Sequence, residues 1–95
     1  MRKKFELNLV ERAFAICKRY NQLAEKYDLF NKNDAAKYDA YLQRMYHTTW
    51  NILSRTEYMC SRASAIYYMI VAIVENGKSK SALFDAINLL GIELV

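Results

Sequence analysis

The stretch FELNLVERAFAICKRYNQLAEKY, residues 5–27, decides the fold. Phe5, Leu9, Ala13, Ile16, Tyr20, Leu23 and Tyr27 recur at intervals of three and four. That is the period of an α-helix with one apolar face. Val10, Phe14 and Cys17 widen the stripe. The spacing predicts an amphipathic helix over roughly residues 8–27.

The same pattern returns downstream. Asn31, Lys32, Asn33 and Asp34 read as a polar connection, with Asp34 the N-cap of a second helix. Tyr38, Leu42, Met45, Thr49, Ile52, Thr56, Met59, Ala63 and Ile66 then keep the helical period without losing phase. One helix could therefore run over roughly 35–75. Against this, Ser54-Arg-Thr-Glu57 matches a capping box, in which the Ser and Glu side chains satisfy each other's backbone donors at a helix start. A continuous helix and one broken near Ser54 both fit.

Asn76-Gly77 closes this region, because glycine supplies the left-handed residue that ends a helix. Lys78-Ser-Lys-Ser81 gives a turn and an N-cap. A short helix over 82–90 presents Leu83, Phe84, Ile87 and Leu90 on one side, and Gly91 stops it. Ile92, Leu94 and Val95 leave an apolar C-terminal end. The expected fold is all-α: a three- or four-helix bundle built on a long antiparallel hairpin plus a short C-terminal helix.

Composition agrees. The 95 residues contain two glycines and no proline, too few for turn-rich β-structure or a flexible linker. Eight tyrosines, four phenylalanines and one tryptophan supply core-forming bulk, and at 54% hydrophobic the chain is no disordered segment. No repeat or composition shift divides it, so residues 1–95 read as a single helical domain.

Several chemistries find no support. Cys17, Cys60 and His47 are the only soft metal ligands and lie far apart in sequence, whereas a structural zinc site needs about four at short spacings. Cys17 falls among apolar neighbours and Cys60 follows Met59; a disulfide between them is possible but not demanded, and both read as reduced core thiols, which suits a cytoplasmic protein. The basic start is followed by Glu6, Asn8, Glu11 and Arg12 rather than an apolar signal region. The most apolar run, residues 65–74, is about half a membrane span. Gly77-Lys78-Ser79 echoes the end of a phosphate-binding loop, but the preceding glycine and strand are missing. Asp34, Asp39 and Glu57 form no tight pair for acid–base work. The expectation is a non-catalytic protein with no cofactor and no metal.

What rises above this is charge. The formal net charge is +4. On a helical wheel Arg12, Arg19 and Lys26, spaced by seven, align beside the first apolar stripe. Lys37, Arg44, Arg55 and Arg62 align beside the second if that helix is continuous. In an antiparallel hairpin the two rows come to one side. Tyr41 and Tyr58 border them, as rings that could stack an unpaired base. Tyr38, Tyr46, Trp50 and Tyr67 read as core packing.

Two functions follow from that pattern. The first is a module that holds a nucleic-acid backbone by charge, alone or as a subunit of a nucleoprotein assembly. Its binding set is Arg12, Arg19, Lys26, Lys37, Arg44, Arg55, Arg62, Tyr41 and Tyr58. The second is a protein-interaction module meeting an acidic protein surface, such as an inhibitor or regulator of a host enzyme carried by a phage or mobile element. Its apolar surplus would suit a homo-oligomer.

Overall fold

The computed structural model describes residues 3–55 and 61–95. Its elements are β1 (Lys3–Phe5), α1 (Leu7–Glu25), α2 (Lys32–Leu53), α3 (Ser61–Glu75), α4 (Lys80–Leu89) and β2 (Ile92–Leu94). The architecture is all-α, a small bundle led by the α1–α2 pair.

That pair is antiparallel. Tyr20 of α1 and Tyr27, just past its end, both meet Tyr41 of α2, while Cys17, one turn before Tyr20, faces Thr49, two turns after Tyr41. The connection is tied by side chains. Asn31, not Asp34, is the N-cap: its side chain accepts from the N–H groups of Asn33 and Asp34. Asp34 falls in the first helical turn, where its charge favours the positive helix end.

The long second helix is broken. α2 ends at Leu53 with Ser54 as its C-cap, whose N–H bonds to Trp50 O at 2.9 Å. Ser54 therefore closes a helix instead of opening one. The remainder of the capping box, Thr56 and Glu57, lies outside the described residues, as do Tyr58, Met59 and Cys60. α3 then runs back along α2, with Trp50 against Tyr67 and the Tyr46 hydroxyl bonded to Glu75.

α3 ends as the sequence suggests. Gly77 has φ 66°, and the N–H of Gly77 and of Lys78 bond to Val74 O and Ile73 O, at 3.1 and 3.0 Å. This is the two-bond closure that a left-handed glycine permits. α4 begins after Ser79, two residues earlier than the serine expected as its cap, and Leu90 stands half exposed rather than in the core.

The strands are a feature the all-helical expectation lacks. β1 and β2 pair in parallel, Lys3 opposite Ile92 and Phe5 opposite Leu94, with flanking bonds from Leu7 N–H to Val95 O and Val95 N–H to Phe5 O. Phe5 and Ile92 are buried by this pairing.

The core collects Val10, Cys17, Met45, Leu53, Ile66, Ile70, Leu83 and Ile87, all fully buried. Each such aliphatic side chain contributes about 1.5–3 kcal/mol of burial free energy. α1 packs against both α2 and α3, so its buried face is Leu9, Val10, Ala13, Phe14 and Cys17. Ile16, Tyr20, Leu23 and Tyr27 stay only half buried. Beyond Glu75 and Gly77 the hairpin continues as an arm, and between residues 18 and 44 only Ala24 is buried. The molecule measures 51 × 26 × 17 Å.

Candidate functional site

The arm's seam is a tyrosine ladder. Tyr41 stacks on Tyr27 with ring centroids 5.8 Å apart and planes 14° from parallel, and meets Tyr20 at 6.4 Å and 33°. Tyr20 lies on α1 and Tyr27 two residues past its end, with Tyr41 reaching across between them. The Lys37 ammonium lies 5.6 Å from the centre of the Tyr27 ring, within cation–π range. Tyr27, Lys37, Ala40, Tyr41 and Arg44 together line an open hollow of about 260 Å³.

Cations border this ladder on its α2 side, where Lys37 and Arg44 line the hollow beside Tyr41. Arg19 and Lys26 immediately precede Tyr20 and Tyr27 in the sequence. All four are exposed, as is Arg12 one heptad earlier. Among the described residues no carboxylate lies within 4 Å of any of the five, and Glu11 pairs with Lys80 instead, at 3.7 Å. Nearby acids serve the turn, where Asp28 Oδ1 accepts from Phe30 N–H at 2.9 Å and Asp34 Oδ2 from Asp28 N–H at 3.5 Å.

Two parts of the expected binding row change. Arg12, Arg19 and Lys26 stand roughly 150° around the α1 wheel from the middle of its buried set, at 100° per residue. They occupy the back of the helix, because the true seam is turned toward Phe14 and Cys17. The four-membered row on the second helix is also divided. Lys37 and Arg44 remain on α2, Arg55 is exposed just past its end, and Arg62 is half buried on the returning α3. Tyr58 lies outside the described residues. Tyr41 is committed to the ladder, one ring face against Tyr27, so it offers an edge and a hydroxyl rather than a free stacking platform.

Buried chemistry is sparse. Cys17 is a free thiol, and burial pushes its pKa from the usual 9.0 to about 11, the neighbouring Thr49 hydroxyl pulling weakly the other way. A thiol held this far from its thiolate is a poor nucleophile and a poor ligand. Among the described residues no group of three or more His, Cys, Asp or Glu is placed to hold a metal ion, and no helix is long and apolar enough to cross a membrane.

Leu29 and Phe30, like Tyr68 and Leu89, are exposed apolar residues that the sequence reading passed over. The first two sit at the arm's tip, 54% and 98% exposed, on a turn pinned by Asp28 and Asn31. Two large apolar residues inside a polar connection were the available signal.

Fold and site thus define a small helical bundle with a projecting, cation-edged hairpin. Compared with protein-family models, with curated proteins and with solved structures, the chain matches none.

Proposed function

We propose that the chain is a non-catalytic binding protein whose α1–α2 hairpin lies along a nucleic-acid backbone, alone or within a nucleoprotein assembly. One observation carries this reading: Arg12, Arg19, Lys26, Lys37 and Arg44 are exposed along the hairpin, and among the described residues none has a carboxylate within 4 Å. A helix of 22 residues extends about 33 Å, long enough to meet several phosphates in succession. The committed Tyr41 ring favours contact with backbone over bases, and backbone contacts position without reading sequence.

Fluorescence anisotropy with labelled duplex and single-stranded oligonucleotides tests it. Duplex affinity should fall with salt at a log–log slope of roughly −4 if all five cations meet phosphates. Arg19→Glu, Lys37→Glu and Arg44→Glu combined should abolish binding while leaving helical circular dichroism intact. A wild-type protein that binds neither nucleic acid at low salt ends this reading.

The second reading, a module docking on another protein, is favoured by the Leu29–Phe30 tip. Acids and bases alternate around it (Glu25, Lys26, Asp28, Lys32, Asp34), a mixed rim of the kind that surrounds an apolar protein contact. Affinity purification from the native host, half of it nuclease-treated, separates the two: partners that persist through nuclease support docking on protein.

A further inference from the structure

On the opposite side of α2 from the tyrosine ladder, a second hollow of about 260 Å³ opens between α2 and α3. Its walls are Tyr46, His47 and Trp50 from α2 and Ser64, Tyr67 and Tyr68 from α3. The spacings, i, i+1, i+4 on one helix and i, i+3, i+4 on the other, place each trio on a single helical face. Four of the six walls are large aromatic rings.

The rings are set at steep angles to one another. Trp50 meets Tyr67 at 5.7 Å and 78°, and Tyr67 meets Tyr68 at 5.2 Å and 68°. These edge-to-face contacts leave no pair of parallel faces between which a flat ligand could stack. Tyr68 is 71% exposed, a large ring spent at the mouth and not in the core.

The electrostatics have a sign. No Lys or Arg lines the hollow, and the Tyr46 hydroxyl donates to Glu75 Oε1 at 2.9 Å. Burial, then this bond and the carboxylate's field, raises the pKa of Tyr46; burial, then Tyr68, Cys17 and last Glu75, raises that of Tyr67. In a chain of net charge +4 this is a locally electronegative spot. Ring faces attract cations through their quadrupole. The ring faces accept hydrogen bonds poorly, whereas a bare ammonium or a guanidinium brings several N–H donors, for which the hollow has only the Ser64 and tyrosine hydroxyls and the His47 ring. A methylated ammonium has few or none to satisfy.

We propose that the hollow between α2 and α3 is an aromatic cage for a methylated ammonium group, presented by a small quaternary amine or by a methylated lysine side chain. The site stands on different residues from the basic hairpin and does not depend on nucleic-acid binding.

Trp50 is the sole tryptophan, so its emission reports the hollow directly. Tetramethylammonium chloride, titrated against sodium chloride at equal ionic strength, should give a saturable change that sodium does not. Tyr68→Ala, at an exposed position, and Glu75→Gln, which keeps an acceptor for Tyr46 while removing the charge, should each weaken it about tenfold. Choline and N-trimethyllysine then tell the two sources apart, and tighter binding of either one supports the cage. The proposal is overturned if tetramethylammonium gives no saturable change, if neither variant weakens it, or if adenosine saturates the signal and tetramethylammonium does not.

Discussion

The Tyr46 hydroxyl is bonded to Glu75 Oε1 across 29 residues of chain, and this bond fixes the end of α3 against the middle of α2. Its consequence for pH is directional. Burial, then the bond to Glu75, raises Tyr46 from 10.0 to about 12, and burial raises Cys17 from 9.0 to about 11. Both groups hold their protons more firmly when folded, so their contribution is fully present below about pH 9 and is lost as pH climbs through the folded values. Urea midpoints measured from about pH 8 to about pH 12 should fall, the Cys17 part between about 9 and 11 and the Tyr46 part between about 10 and 12. Cys17→Ala should flatten the earlier part. A midpoint independent of pH over that range contradicts the assignment.

The Cys17 thiol should resist a thiol reagent in the native protein and react fully in denaturant, because it has no exposed surface. Mass spectrometry of the labelled protein after digestion checks the peptide that carries it. Rapid native labelling at Cys17 would place α1 in a different rotation.

Met45 is fully buried where the bundle ends and the arm begins. Met45→Ala should cost about 2–5 kcal/mol in denaturant unfolding, from lost burial plus the cavity left behind. Leu29→Ala, half exposed on the tip, should cost far less. Similar losses for the two would mean that the arm packs as densely as the core.

Gly77→Ala tests the turn between α3 and α4. A Cβ there meets nothing within 4 Å, so the cost is conformational alone: φ is 66°, a region L-residues avoid. The expected loss is about 1 kcal/mol, with Asn, which tolerates that region, losing less.

Phe30→Ser should change stability by no more than about 0.5 kcal/mol, since 98% of the ring is already in solvent. If the tip docks on a protein, the same substitution should remove nuclease-resistant partners from an affinity purification. Partners retained by Phe30→Ser would point away from the tip.

Much of this fold could be read from apolar spacing, and the places where it could not share a cause. The stripe from Tyr38 to Ile66 stays in phase because α2 and α3 both turn their apolar sides toward α1. Periodicity records which face is buried and is blind to a reversal of direction, and no glycine or proline marks the turn. The seam of α1 was displaced for a related reason. A helix packed against two neighbours buries a wider arc than one stripe, so Val10, Phe14 and Cys17 became its centre. The strands β1 and β2, three residues each, are too short to show a period, and their pairing lies between the two ends of the sequence. For the candidate site, the cations were visible as residues, but the division of the second row depended on where α2 stops, and the placement of Arg12, Arg19 and Lys26 on how α1 is rotated.

The pairing of β1 with β2 also sets an order of events. During synthesis α1 and α2 can close on each other once residues 7–53 have left the ribosome, since their contacts are local to the hairpin. Phe5 must wait for Leu94. Removing residues 92–95 would return the molecule to this half-closed condition, with β1 unpaired. Quality-control proteases that sense exposed apolar segments would meet a nearly native protein with one apolar edge left open.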